Sequence, residues 1–428
     1  MVKRLPVRFG SNNKKVVLQF FYPGSKERTL KVVSRVHGMS KTEKEKFLEE
    51  SIALFSKRHK DYDRLLADNF RKLKEIVSTD IPYDSVEGRL LAAYFSKEYS
   101  TQSAALFNPS IVRHPVQDPS DPGKLRFVLS LRATGESHIS SIAFREGTIS
   151  KNGSVELEDD SPFCVSPVSK MPFAHERFRG DGELTDANYD IVFSGEESIT
   201  ERIIFPSSPA ESNGIEDVRF AEFTDDDNSK IYLGTYTAYN GKRIFPQLIE
   251  TKDFRHFSIR TLQGKAAVDK GMAIFPRRIN GKYVICSRID GENLYIMSSD
   301  DLYTWEKATV LRQPYLPWEF VQIGNCGSPI ETDEGWLLLT HAVGFFRRYV
   351  ISAVLLDKEN PEKVIGALDV PLISPDETER EGYVPNVVYS CGSMQYGDTL
   401  FIPYAMSDSV SGMATCRMQD ILNNMKSL

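Results

Sequence analysis

No apolar run in this 428-residue sequence approaches the ~20 residues that span a bilayer. The opening Met1-Val-Lys-Arg-Leu-Pro-Val-Arg8 is basic but leads into no apolar stretch, so no secretory signal is expected and the expected location is cytoplasmic. Cysteine is scarce. The five residues, at 164, 286, 326, 391 and 416, never approach C-x-x-C spacing, which excludes zinc and dithiol motifs and points to reduced thiols. The seven histidines show no H-E-x-x-H spacing, and no bound metal is expected. Positive charge is also short overall, with a formal net charge of -6. Residues 1–100 carry 21 Lys/Arg against 13 Asp/Glu, so the acidity lies in the rest of the chain, which makes a poor nucleic-acid binder. The same asymmetry gives the N-terminal segment two readings, a docking or homo-oligomerising module and a solvated helix surface.

What is present is a soluble globular composition, 41% hydrophobic and 26% charged. The first hundred residues read as a small strand-plus-helices module. Val16–Phe21 has strand character, Tyr22-Pro23-Gly24 a turn, and Leu30–Val33 a second apolar run. Ser40-Lys-Thr-Glu43 is a capping box. Apolar residues then recur at helical spacing through Phe47, Leu48, Ile52 and Phe55 and through Leu66, Phe70, Leu73 and Val77. Asp84 and Glu87 are expected to cap a third helix.

Beyond residue 100 the period changes. Short apolar strands start at Leu125, Ile231, Tyr283, Trp336 and Leu400, separated by 106, 52, 53 and 64 residues. A repeat of roughly 50 residues built from short strands predicts a mainly β fold, a five-bladed β-propeller over residues 101–428 with a long insertion in the first blade and the 1–100 module as an N-terminal extension. A β-sandwich with accidental spacing is the alternative. In a propeller, inner strands converge at one end of the axis, so site residues should be polar and far apart in sequence. Segments of that kind are Phe107-Asn-Pro-Ser110, Leu131-Arg132, Gly214-Ile-Glu-Asp-Val-Arg219, Asp269-Lys-Gly271, Ser287-Arg288, Thr340-His341, Pro385-Asn386 and Ser407-Asp408.

These segments, in this order, resemble glycoside hydrolase family 130, the β-mannoside phosphorylases and β-mannosidases. The resemblance covers roughly residues 105–420 and rests on Asn108-Pro109, Gly214-x-Glu-Asp-x-Arg219, Lys270-x-x-x-x-Phe-Pro276, Pro385-Asn-Val-Val388 and Tyr404-x-x-x-Asp408. It implies an inverting enzyme that cleaves β-mannosidic bonds in manno-oligosaccharides, with no cofactor, no nucleic-acid or membrane partner, and inorganic phosphate as co-substrate in a phosphorylase. Asp217 matches the general acid, a role that needs a carboxyl protonated near neutral pH. In the phosphorylases that acid acts through a sugar hydroxyl. Regular strand alternation would put Glu216 on the opposite face and Arg219 on the same face as Asp217. Asn108, Arg132, Arg219, His341, Asn386 and Asp408 are expected to bind the sugar. Lys270, Ser287 and Arg288, with Arg243, fall in the region that holds phosphate or the nucleophilic water. Many phosphorylases have His-Arg where this chain has Ser287-Arg288, which suggests a lost phosphate ligand. Glu292 then becomes the candidate base of an inverting hydrolase, in competition with Glu319, Glu379 and Glu381. The sequence thus favours hydrolysis of β-1,2-mannosides over phosphorolysis. A non-catalytic carbohydrate-binding propeller, or a scaffold whose basic module binds a partner, are the readings from other classes.

Overall fold

The computed structural model describes residues 2–173 and 186–428. Two compact units emerge. One comprises residues 1–11, 104–160 and 166–428; the other comprises residues 12–103 and 161–165.

Among the described residues, the larger unit is built from five antiparallel sheets of four to six strands. The five apolar runs read from the sequence each fall in a different sheet: within Lys124–Thr134, Lys230–Tyr239, Tyr283–Arg288, Trp336–Val343 and Thr399–Met406. Each pairs on one side with a strand that precedes it in the chain, namely Ala105–Arg113, Gly214–Thr224, Lys270–Ile274, Gln322–Asn325 and Val388–Tyr389. Because both faces of these strands are apolar, each sheet must be covered on both sides. The coverage comes from neighbouring sheets. Phe144 of the first packs with Phe220 and Phe257 of the second. Leu233 of the second packs with Ile285 and Met297 of the third. Val284 of the third packs with Trp336 and Leu338 of the fourth, and Leu339 of the fourth packs with Ile402 and Tyr404 of the fifth. Ala405 of the fifth returns to Ala105 and Phe107 of the first. Backbone bonds join those last two sheets as well, from Cys391 N to the Pro109 carbonyl (2.9 Å) and from Leu106 N to the Ser409 carbonyl (3.3 Å).

The fifth sheet is completed from the other end of the chain. Lys3–Phe9 pairs antiparallel with Val410–Arg417. The expected division at residue 100 therefore misses that the first eleven residues belong with the sheets. Arg4 fixes this strand by donating through Nε and Nη2 to both oxygens of the buried Glu379 (2.9 and 3.0 Å), which also accepts from the Tyr404 hydroxyl.

The smaller unit holds four helices, Lys26–His37, Lys41–Phe55, Tyr62–Ile76 and Val86–Tyr94, and the two-stranded sheet of Val16–Phe20 with Ser96–Ser100. Leu66, Phe70, Leu73, Leu91 and Phe95 form its core. The capping box at Ser40 and Glu43 is formed. Leu30–Val33 is helical rather than extended, because Ser25 caps a helix that runs through it. Ser85, not Asp84, caps the last helix: its hydroxyl accepts from Gly88 N (3.0 Å).

Candidate active site

Three of the five first strands carry the same irregularity. In each, two residues oppose one across the ladder: 108–109 opposite Leu131, 217–218 opposite Tyr236, and 271–272 opposite Ser287. Such bulges bend the strand and re-aim side chains. Asn108 and Asp217 take the left-handed conformation there (φ 50° and 54°), as does Gly271 (φ 84°). Asn, Asp and Gly tolerate this region at least cost.

The bulge overturns the alternation expected around residue 217. Glu216 and Asp217 both reach Arg132, at 2.8 Å from Nη2 and 3.6 Å from Nη1. Asn108 Nδ2 donates to Asp217 Oδ1 at 2.7 Å. Arg219 instead turns inward. It is 1% exposed and spends its donors on the Cys326 carbonyl, the Asp217 carbonyl and the Tyr389 hydroxyl, each at 2.7 Å. It thereby ties the left-handed backbone of Asp217 to the fourth and fifth sheets.

A cavity of about 140 Å³ opens beside Asp217. Of the residues named from the sequence, Asn108, Arg132, Asp217, Arg219, Lys270, Arg288 and Asp408 line it. Burial alone would raise the Asp217 carboxyl, but Arg132, Arg219, the Asn108 hydrogen bond and Lys270 together hold it below the usual carboxylate range. These neighbours thus keep Asp217 ionised, the reverse of the resting state expected for a general acid. Asp408, presented on a turn of left-handed residues (Ser407 φ 48°, Asp408 φ 50°), is pushed up to about 6 by burial and then by the charge of Asp217.

The cationic side of the cavity is loosely paired. Lys270 Nζ lies 3.8 Å from Glu216 Oε2, and Arg288 Nε lies 3.9 Å from Asp269 Oδ2, beyond hydrogen-bond reach. Arg288 Nε is buried with no hydrogen-bond partner among the described residues.

Other expected residues stand elsewhere. His341 is 1% exposed and lies behind Arg288 rather than in the cavity. Its Nδ1 is 3.2 Å from the Asn325 carbonyl and its Nε2 3.3 Å from Arg288 Nη1. Burial, Arg288 and Arg219 keep the ring neutral, so Nδ1–H donates to the carbonyl and Nε2 accepts from Arg288. Ser287 is fully buried on the strand face opposite Arg288, as strand alternation requires. Arg243 is exposed over the Phe245 ring and does not border the cavity. Asn386 Oδ1 accepts from Arg380 Nε at 3.0 Å, outside the cavity lining. Glu292 is exposed in a turn, its amide donating to Asp290 Oδ1. Glu319 and Glu379 are buried in ion pairs with Arg312 and Arg4, and Glu381 is exposed. None of the four glutamates lines the cavity: Glu292 is carried on an exposed turn, Glu319 and Glu379 are held in structural clamps, and Glu381 is exposed away from the lining. Sequence reasoning missed Arg347, Tyr349 and Tyr389, which do line it. The signal was the five-residue loop Gly344–Arg348, which repeats the form of residues 135–139: glycine first, left-handed residues third and fourth.

The sequence pattern of the family described as beta-1,4-mannooligosaccharide phosphorylase matches residues 177–427. The chain belongs to glycoside hydrolase family 130. A β-1,2-mannobiose phosphorylase of Listeria innocua is 30% identical over 287 residues, covering 64% of this chain and 78% of that protein. A 1,2-β-oligomannan phosphorylase of Thermoanaerobacter sp. strain X514 is 41% identical over 155 residues, 36% of this chain, and the match spans about half (52%) of that relative's length. Two solved structures share the fold. The L. innocua β-1,2-mannobiose phosphorylase in complex with β-1,2-mannobiose gives a TM-score of 0.50 at 24% identity, over 76% of this chain and 92% of that one. A structure titled for family 130 glycoside hydrolases that target β-1,2 mannosidic linkages in Candida mannan gives 0.54 at 19%, over 76% and 87%.

Proposed function

We propose that this family 130 chain is an inverting β-mannoside phosphorylase, built on a five-bladed propeller whose axial cavity holds one mannose unit. The observation that carries the reading is the pair Lys270 and Arg288, bordering the cavity of Asp217 with donors that no carboxylate among the described residues takes up within hydrogen-bond distance. Such a pair suits a phosphate anion. The glutamates proposed as the base of a hydrolase lie outside the cavity, and the two relatives matched above by sequence, from Listeria innocua and Thermoanaerobacter, are phosphorylases. Those relatives also favour β-1,2-linked manno-oligosaccharides as the substrate class.

In the reaction a phosphate oxygen attacks C1 of the bound mannose. The C1–O bond to the leaving sugar breaks, and the leaving oxygen takes a proton from Asp217 through a sugar hydroxyl. The products are α-mannose 1-phosphate and a saccharide shorter by one unit. Arriving phosphate offsets the cations that hold Asp217 ionised, so its carboxyl gains proton affinity when the co-substrate is in place. Protonated phosphate supplies that proton, and kcat/KM for phosphate falls as pH rises past the second ionisation of phosphate.

Incubation with β-1,2-mannobiose, with and without inorganic phosphate, tests the reading. Mannose 1-phosphate is expected only with phosphate; free mannose at the same rate in its absence overturns phosphorolysis. Lys270→Ala and Arg288→Ala should each raise KM for phosphate about tenfold or more, the scale of one charge-assisted hydrogen bond.

A further inference from the structure

Phe346 combines two features that folding disfavours. It is 90% exposed, and its backbone is left-handed (φ 54°), a conformation costly for a bulky side chain. The equivalent position in the matching loop is Ser137. A strained, solvent-facing phenylalanine points to a role outside the fold. Its surroundings locate that role. The next residue, Arg347, lines the cavity of Asp217. Tyr349 N, just past the loop, donates to the Asn386 carbonyl (3.0 Å), joining it to the segment whose Val384 and Val387 line the same cavity. Phe345 stands edge-on to Phe346 with ring centres 6.3 Å apart. Next to Val384, Tyr383 is 69% exposed and stacks on His138 at 5.6 Å.

We infer that Phe346, with Phe345 and Tyr383, forms an aromatic platform at the mouth of the cavity that binds the C–H faces of sugar units lying past the leaving one. The inference rests on the phosphorylase reading for the direction of the substrate and deepens it. A cavity of about 140 Å³ encloses one pyranose, so the remainder of an oligosaccharide must cross the rim. Pyranose rings present apolar C–H faces to which the negative face of an aromatic ring is complementary. Exposed apolar groups bordering a polar cavity mark binding surface rather than core. The chain is therefore selective for substrates of three or more units over the disaccharide.

The test is phosphorolysis of a β-1,2-linked manno-oligosaccharide ladder from two to five units by the parent, Phe346→Ala and Phe346→Trp. Phe346→Ala should lower kcat/KM about tenfold on three or more units, the scale of one lost aromatic contact. The disaccharide should change less than twofold, and Phe346→Trp should restore the preference. Equal effects on all lengths, or none, overturn the platform. If no length releases mannose 1-phosphate, the phosphorylase reading fails by itself. Titration calorimetry of mannotetraose against parent and Phe346→Ala then decides the platform, with equal affinities overturning it.

Discussion

Asp217 and Asp408 border one cavity and hold protons oppositely. Burial and the charge of Asp217 push Asp408 up to about 6 from the ordinary 3.8, so between those values the folded protein binds a proton that the unfolded chain has released. Stability therefore falls as pH rises through that window, and the full penalty persists above it. Asp408→Asn should melt higher than the parent at pH 7.5, by on the order of 2 kcal/mol, with the gap closing near pH 4. Calorimetric melts across that range check the sign. On the phosphorylase reading proposed above, Asp217→Asn should cut phosphorolysis by about 10²–10⁴ while leaving the fold intact by circular dichroism. The residues that converge on the cavity, such as Asn108, Asp217, Lys270 and Asp408, were legible because they fall in polar segments beside apolar strands that match the family's motifs in order. His341 was not, because its burial depends on Gly324, where an added Cβ would come within 2.7 Å of the imidazole. No single-residue signal announces that space. Glu292 was misplaced for a related reason: a carboxylate near an arginine in sequence says nothing about which way a turn faces.

Strands and loops show the same division. The five second strands were readable as apolar runs because they are covered on both faces. Among the first strands, three are bulged, with left-handed residues that break the period-2 pattern on which strand reading depends, and the other two, Gln322–Asn325 and Val388–Tyr389, are too short to show a period. The run Leu30–Val33 was ambiguous between helix and strand at four residues, and the cap at Ser25 decided it. The loop 344–348 yields a prediction of its own. Glycine adopts φ 54° without the Cβ penalty, so Phe346→Gly should stabilise the protein by about 1 kcal/mol. A thermal melt checks it, and the gain should accompany loss of activity on long substrates, stability rising where function falls.

Across the larger unit, each sheet depends on its neighbours for burial, and the fifth also depends on a strand from the other end of the chain. Arg4→Ala would leave the buried Glu379 carboxylate without its ion-pair partner and should cost about 3 kcal/mol, read as a lowered denaturation midpoint. The repeat arithmetic foresaw five sheets but not this pairing, since Lys3–Phe9 shares no spacing with the repeat. The pairing has a consequence during synthesis. Residues 12–103 form nearly all of one compact unit, whose two-stranded sheet closes once Ser96–Ser100 has left the ribosome. Lys3–Phe9 emerges before them yet cannot find Val410–Arg417 until some 400 further residues are made, roughly 20–80 s at ordinary elongation rates. For that interval Lys3–Phe9 is an unpaired edge, and its charged residues Lys3, Arg4 and Arg8 are what discourage it from joining the wrong sheet.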